Sequence, residues 1–144
     1  MKILVVEDHP VVREVLIAVA SSAVKGSHVQ AVADLESGLE AARAAPMDVV
    51  LLDLGLPGCE GIDALKRFRE AFPRVVIIVV SSNDDSQVIA AALAAGANGY
   101  LPKGLTPGRL ANALPGARLG QQPRSLLPEL FNSLGSAVVR AKSR

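Results

Sequence analysis

The sequence contains one cysteine, Cys59, among its 144 residues. One thiol cannot form an internal disulfide or supply a multi-thiolate zinc site. No apolar run approaches the roughly 18 residues that a membrane-spanning helix needs, and the N-terminus carries no charged-then-apolar signal stretch. GxGxxG spacing is absent after the first strand-like run, which argues against a dinucleotide-binding fingerprint. We therefore expect a cytoplasmic protein without membrane contact.

Basic and acidic side chains are nearly equal in number, and the formal net charge is +1. Residues 1–117 carry 10 basic and 13 acidic side chains, whereas residues 118–144 carry five basic side chains and one acid, Glu129. We expect a single domain over residues 1–120. A domain of this size buries on folding roughly 68–70% of the surface that its unfolded chain exposes, so it needs no disulfide or structural metal. Residues 121–144 are expected to form a basic linker or helix, solvated rather than bound to nucleic acid.

Strand-like and helix-like patterns alternate along residues 1–120. Unbroken apolar runs at 49–52 and 75–80 are typical of strands buried on both faces. A short, largely apolar segment at 2–6 and weaker runs at 28–33 and 98–101 indicate three more strands. Helical spacing begins at Pro10 and recurs at 35–45, 61–72, 86–95 and 106–119, the last interrupted by Pro115. Five alternating strand–helix units predict a doubly wound α/β domain with a parallel sheet in the order 2-1-3-4-5.

Reactive side chains follow four of the predicted strands. Because the carboxyl ends of parallel strands share one edge of the sheet, this topology brings those side chains together. The first strand delivers Glu7 and Asp8, the third Asp53, the fourth Ser81 and the fifth Lys103. Three nearby carboxylates repel one another, and a divalent cation relieves that repulsion. Mg²⁺ fits best, because it takes oxygen ligands and commonly joins carboxylates to a phosphate.

A carboxylate beside Mg²⁺ can attack phosphorus and form an acyl phosphate, which makes Asp53 the candidate nucleophile. Lys103 would pair with one phosphoryl oxygen, and Ser81 would donate a hydrogen bond to another. Ser81 could instead cap the following helix. Tyr100, the only tyrosine, could be a packing residue with a solvated tip.

In these positions the sequence resembles the receiver (CheY-like) domain of two-component response regulators over about residues 2–120. The resemblance rests on Glu7-Asp8, Asp53 after the third strand, LPG at 56–58, Ser81, and Lys103 preceded by the residues GYLP. It implies a flavodoxin-like three-layer sandwich, with Asp53 as phosphoacceptor for a histidine kinase. It also implies Mg²⁺ ligation by Asp8, Asp53 and the Gly55 carbonyl, with Glu7 acting through water.

The resemblance further implies that Ser81 and Tyr100 are paired switch residues that change a surface for partner binding or dimerisation. Many members of the family have proline after the lysine, whereas this chain has Gly104. His9, His28 and Cys59 are expected to have no role in the site. Redox sensing by Cys59 is the less favoured alternative.

Residues 116–130 are similar to the junction that precedes a helix-turn-helix domain in one response-regulator subfamily. No such output domain is expected in residues 121–144, because about 25 residues cannot build a recognition helix and its support. Control of transcription, and any contact with DNA, would therefore require that absent domain. The alternatives are a stand-alone receiver, a Mg²⁺-dependent phosphohydrolase with an aspartyl nucleophile, and a receiver-like scaffold that takes no phosphate. We expect self-phosphorylation and slow self-dephosphorylation rather than enzymatic turnover.

Overall fold

The computed structural model describes residues 1–23, 25–82, 85–102 and 139–140. The elements run β1 (Lys2–Val6), α1 (Pro10–Ala23), β2 (His28–Val32), α2 (Leu35–Ala44), β3 (Val49–Asp53), α3 (Asp63–Ala71), β4 (Val76–Ser81), α4 (Ser86–Ala94), β5 (Gly99–Pro102) and β6 (Val139–Arg140). The predicted helix at 106–119 lies outside the described residues, and so does the expected linker or helix at 121–144 apart from residues 139–140. Each predicted strand is present, and its ends differ from the prediction by at most one residue. The helix α1 begins at Pro10 as predicted, and the ends of α2, α3 and α4 differ from the prediction by at most two residues.

The sheet order is β2-β1-β3-β4-β5-β6. The first five strands are parallel, so the predicted order 2-1-3-4-5 is confirmed. The two-residue β6 pairs antiparallel with β5 at the edge, with Tyr100 opposite Val139. Sequence patterns did not predict this sixth strand, because two residues are too short to show a periodicity.

Helices cover both faces of the sheet, and alternate strand residues enter two separate cores. On one face Ile3, Val5 and Leu51 pack with Leu16 and Val19 of α1. On the other face the core holds strand residues of opposite parity and the apolar sides of α2 and α3 (Leu4, Val6, Val50, Leu52, Leu39, Leu65, Phe68, Tyr100). Two buried faces explain why β1, β3 and β4 read as largely apolar runs. The three-layer flavodoxin-like class is confirmed.

The helix α2 lies close against β1, the strand that leads into the acidic pair. A Cβ atom at Gly38 would lie 2.9 Å from Cγ2 of Val6, closer than packed carbon atoms approach. Glycine at this position therefore lets α2 pack directly over the carboxyl half of β1. Among the described residues, no helix combines the length and the apolar character needed to cross a bilayer.

The start of α2 offers a test of one local interaction. The Asp34 carboxylate accepts hydrogen bonds from the backbone N–H and the hydroxyl of Ser37, at 2.8 and 2.9 Å. These bonds, the backbone one first, lower the pKa of Asp34 below its ordinary value of 3.8. The stabilisation is therefore full above the unfolded pKa and is lost as pH falls through the lower folded pKa.

We expect Asp34→Ala to lower the thermal unfolding midpoint by a few degrees at neutral pH, because the cap is lost. The difference from wild type should narrow toward about pH 3, where the unfolded carboxylate is protonated. Thermal scans over this pH range would measure it. Glu40→Ala removes an exposed carboxylate from the same helix without touching the cap. A midpoint loss in Asp34→Ala that is independent of pH would contradict the assignment.

Candidate phosphoryl-acceptor and metal site

Asp53 is the last residue of the central strand β3, and it is 1% exposed. The neighbouring β4 fixes its place, since Asp53 is in register with Val80 and the Leu54 N–H donates to the Val80 carbonyl (3.3 Å). The carboxylate oxygen Oδ1 accepts a 2.8 Å hydrogen bond from the Gly55 N–H. A buried strand end thus directs this acid toward the carboxyl edge of the sheet, as the sequence predicted.

The acidic pair follows β1 at the same edge. Glu7 is fully buried, its N–H donates to the Val32 carbonyl (3.0 Å), and its own carbonyl accepts from Arg13 of α1 (3.0 Å). Asp8 is one-quarter exposed at its side chain. The backbone on both sides of Glu7 is therefore tied to β2 and α1, which holds the turn that presents Asp8.

Ligand atoms of Glu7, Asp8, His9 and Asp53 all lie within 4.8 Å of one another. The convergence of the three acids, predicted from topology alone, is thus found in the structure. Carboxylate oxygens at this spacing fit Mg²⁺, a hard ion that prefers oxygen ligands. The residues that would hold it are Asp8 and Asp53, with the buried Glu7 in the same cluster.

Three other residues were predicted to belong to the site: Ser81, Lys103 and, through its carbonyl, Gly55. Ser81 ends β4, is 6% exposed and stands in register with Pro102. Asp85 rather than Ser81 caps α4, since its carboxylate accepts from the Gln87 N–H (2.8 Å). Lys103, which follows Pro102 in the sequence, lies outside the described residues, and ligation by the Gly55 carbonyl stays a prediction.

Tyr100 lies in β5 and is fully buried in the core shared with α2 and α3. Tyr100 is therefore a packing residue in this conformation, as the alternative expected, but its tip is not solvated. The Tyr100 side chain has no exposed surface in this conformation. Its role as a switch stays a prediction.

Sequence reasoning gave His9 no role, yet its ring enters the acidic cluster. His9 Nδ1 lies 2.8 Å from Glu7 Oε1 and 3.2 Å from Asp8 Oδ1. The backbone N–H of His9 also donates to Glu7 Oε1, at 3.1 Å. In the sequence, only the position of His9 directly after Glu7-Asp8 could have indicated this contact. The direction of a side chain that follows the end of a strand cannot be predicted from sequence patterns.

Comparison with known proteins adds to this geometry. Residues 3–115 match the family described as response regulator receiver domain. The nitrate/nitrite response regulator protein NarL of Escherichia coli K12 is 35% identical over 139 residues, which cover 96% of this chain and 63% of that protein. The chain thus spans less than two thirds of that relative's length.

Two solved structures are similar as well. The receiver domain of the response regulator NarL from Mycobacterium tuberculosis is 30% identical, covers 78% of this chain and 90% of its own, and superposes with a TM-score of 0.63. A LuxR-family two-component response regulator from Aurantimonas is 29% identical, with 90% and 94% coverage and a TM-score of 0.67. Sequence and fold point to the same family.

Proposed function

The chain belongs to the response regulator receiver domain family, and from this membership we propose that Asp53 accepts a phosphoryl group from a histidine kinase. The observation that carries the proposal is the meeting of Asp53 with Glu7 and Asp8 at one sheet edge, within 4.8 Å. A carboxylate buried beside two other acids serves no packing purpose, since burying like charges is unfavourable. A bound cation would offset the repulsion between these carboxylates, and Asp53 would then be placed to accept a phosphoryl group.

The proposed chemistry uses the residues that the resemblance to receiver domains assigns to this edge of the sheet. One Asp53 carboxylate oxygen attacks phosphorus as the P–N bond of phosphohistidine breaks, and the departing imidazole takes up a proton. Mg²⁺ held by Asp8, Asp53 and the Gly55 carbonyl, with Glu7 acting through water, would neutralise charge on the phosphoryl oxygens. The Ser81 hydroxyl donates to one phosphoryl oxygen, and Lys103 pairs with another.

The signal is proposed to leave through Ser81 and Tyr100. Phosphorylation draws Ser81 toward Asp53, and the inward position of Tyr100 is then favoured over an outward one. This population shift would alter binding of a partner or of a second copy of the chain. The proposal also includes control of transcription through the DNA-binding output domain that the resemblance implies, and a relative that is 29% identical over 114 residues is named a transcriptional activator protein. A cytoplasmic location, expected from the sequence, is also part of the proposed function.

Intact-mass measurement tests the proposal directly. The full chain would be incubated with a small phosphodonor, in Mg²⁺ or in a chelator. One phosphoryl adduct per chain that needs Mg²⁺ supports the receiver function. Multiple turnover of external phosphate esters would instead support the phosphohydrolase alternative, and no adduct under either condition would support the scaffold alternative.

A kinase must approach the edge that holds Asp53, and an exposed apolar side chain stands beside that edge. Val11, in the first turn of α1 and three residues after Asp8, is 72% exposed. An exposed apolar side chain near the reacting group is a candidate contact for the partner. We expect Val11→Asp to slow phosphorylation by an autophosphorylated histidine kinase roughly tenfold, the equivalent of about 1.4 kcal/mol in binding.

The rate with a small phosphodonor should stay unchanged, because that donor makes no contact with α1. Ala18→Asp is the matched control, since it places the same charge two turns further along the helix at an exposed position. Phosphotransfer time courses on both variants measure the effect. Equal slowing in the two variants, or slowing with the small donor as well, would contradict the contact.

A further inference from the structure

The outer edge of β5 is closed by a strand from far along the chain. A strand at the end of a sheet presents a row of unpaired N–H and C=O groups. β5 is the last of the five parallel strands, yet β6 pairs with it antiparallel and places Val139 opposite Tyr100. Tyr100 and Leu101 have no exposed surface, in their backbone or their side chains. The edge is therefore covered at these residues and is not open to solvent.

The pairing between β5 and β6 is short. β6 contains two residues, and residues 103–138 separate it from β5 in the sequence. Two paired residues form few hydrogen bonds, whereas holding a distant segment of the chain in one place costs conformational entropy. Because these contributions oppose each other, the pairing is closed by a small margin only. A modest change at β5 can therefore open it or hold it shut.

Tyr100 connects this edge to the candidate phosphoryl-acceptor site. On its inner side Tyr100 is in register with Val79 of β4, the strand that ends at Ser81. Tyr100 belongs to the buried core that is shared with α2 and α3. Since β4 lies on one side of Tyr100, a ring that turns out of this core must pass the outer edge of β5. β6 lies along that edge, directly opposite Tyr100, so the closed pairing opposes an outward ring.

We propose that β6 is a strap that closes the β5 edge while Tyr100 is inward and leaves it when the ring turns outward. The inference rests on the proposed function, in which phosphorylation of Asp53 favours the inward ring. Because coupling between two equilibria is reciprocal, phosphorylation tightens the pairing of residues 139–140, and the pairing in turn stabilises the phosphorylated state. The C-terminal segment is thereby held to the sheet when Asp53 carries the phosphoryl group.

Hydrogen exchange at the Val139 and Arg140 amides measures the pairing directly. The full chain would be studied by NMR in Mg²⁺, with and without beryllofluoride as a mimic of the phosphoryl group. We expect beryllofluoride to slow exchange at one or both amides by about fivefold or more, the scale of coupling between two sites. Equal exchange rates in the two conditions would overturn the inference. Protection that rises with protein concentration would place β6 on a second copy of the chain and would also overturn it.

Val139→Pro tests the reverse direction, because proline removes a backbone N–H and restricts the backbone of β6. We expect this variant to remain folded in a thermal scan and to bind beryllofluoride in Mg²⁺ about fivefold more weakly than wild type, as measured by calorimetry. Ser143→Pro is the matched control, since it places the same residue three positions beyond β6, and it should bind as wild type does. Equal binding by wild type and Val139→Pro would contradict the strap.

The intact-mass test separates this inference from the proposed function. A Mg²⁺-dependent phosphoryl adduct together with unchanged exchange at residues 139–140 would reject the strap and leave the proposed function standing. Absence of both the adduct and beryllofluoride binding would reject the two together.

Discussion

Asp53→Asn is expected to leave no detectable phosphoryl adduct on the chain in Mg²⁺ with a small phosphodonor. The amide that replaces the carboxylate is a poor nucleophile and lacks the charge that the cation needs. The fold should persist, because the amide oxygen can still accept the 2.8 Å hydrogen bond from the Gly55 N–H. Intact-mass spectra give the result, and thermal unfolding shows whether the variant is folded.

Asp48→Asn is the matched control for this experiment. Asp48 immediately precedes the same strand at its opposite end, where its exposed carboxylate accepts a hydrogen bond from the Lys2 N–H (2.8 Å). That variant should form the adduct at the wild-type rate. An adduct that persists in Asp53→Asn would place the acceptor elsewhere, and Asp8 would then be the first carboxylate to examine.

The part of this site that the sequence predicts is the part that backbone topology determines. The run at 49–52 reads as a buried strand because both of its faces are covered, so Asp53 must emerge at the sheet edge. Parallel pairing with β1 then brings Glu7 and Asp8 to the same edge. The convergence of these acids follows from strand order and direction alone. It could therefore be predicted from the sequence without knowledge of any side-chain contact.

The features that the sequence did not predict depend on side-chain direction or on backbone acceptors. His9 could be read as a loop residue until its ring direction was known. The strand β6 is two residues long and has no pattern of its own. The contacts of Arg69, in a helix that reads as amphipathic surface, go mainly to carbonyl groups, and carbonyl groups carry no sequence signature.

Arg69→Ala is expected to cost about 3 kcal/mol of unfolding free energy, since hydrogen bonds from a charged group contribute roughly 1.5–3 kcal/mol each and are not additive. Its guanidinium donates to the carbonyls of Phe72, Pro73 and Val75 in the α3–β4 connection, the Val75 contact at 2.6 Å. It also donates to the Gly96 carbonyl, at 2.7 and 3.1 Å. One half-buried side chain therefore joins the segments that lead into β4 and β5.

Arg69 takes part in a wider hydrogen-bond network between the α3–β4 and α4–β5 connections, and this network depends on the shape of the guanidinium group. Asn98 Oδ1 accepts from Arg69 (2.8 Å) and from the Ile77 N–H (3.0 Å), so the network reaches the backbone of β4. Gly96 has a φ of +113°, and a Cβ atom there would lie 3.0 Å from Arg69 Cγ. Burial lowers the pKa of Arg69, a desolvation cost that the surrounding carbonyl groups offset. Arg69→Lys should recover only part of the loss, because one ammonium group cannot reach both turns.

Arg67→Ala is the matched control, because it removes an arginine two residues away on the same helix. Arg67 is half-exposed and pairs with Glu36 at 2.6 Å, and an exposed pair of this kind contributes less than about 1 kcal/mol. Urea unfolding of both variants measures the difference. Because the Arg69 contacts lie at the amino edge, the Asp53 adduct should still form in Arg69→Ala wherever that variant is folded. Equal, small losses in the two variants would show that these carbonyl contacts merely replace hydration and add no net stability.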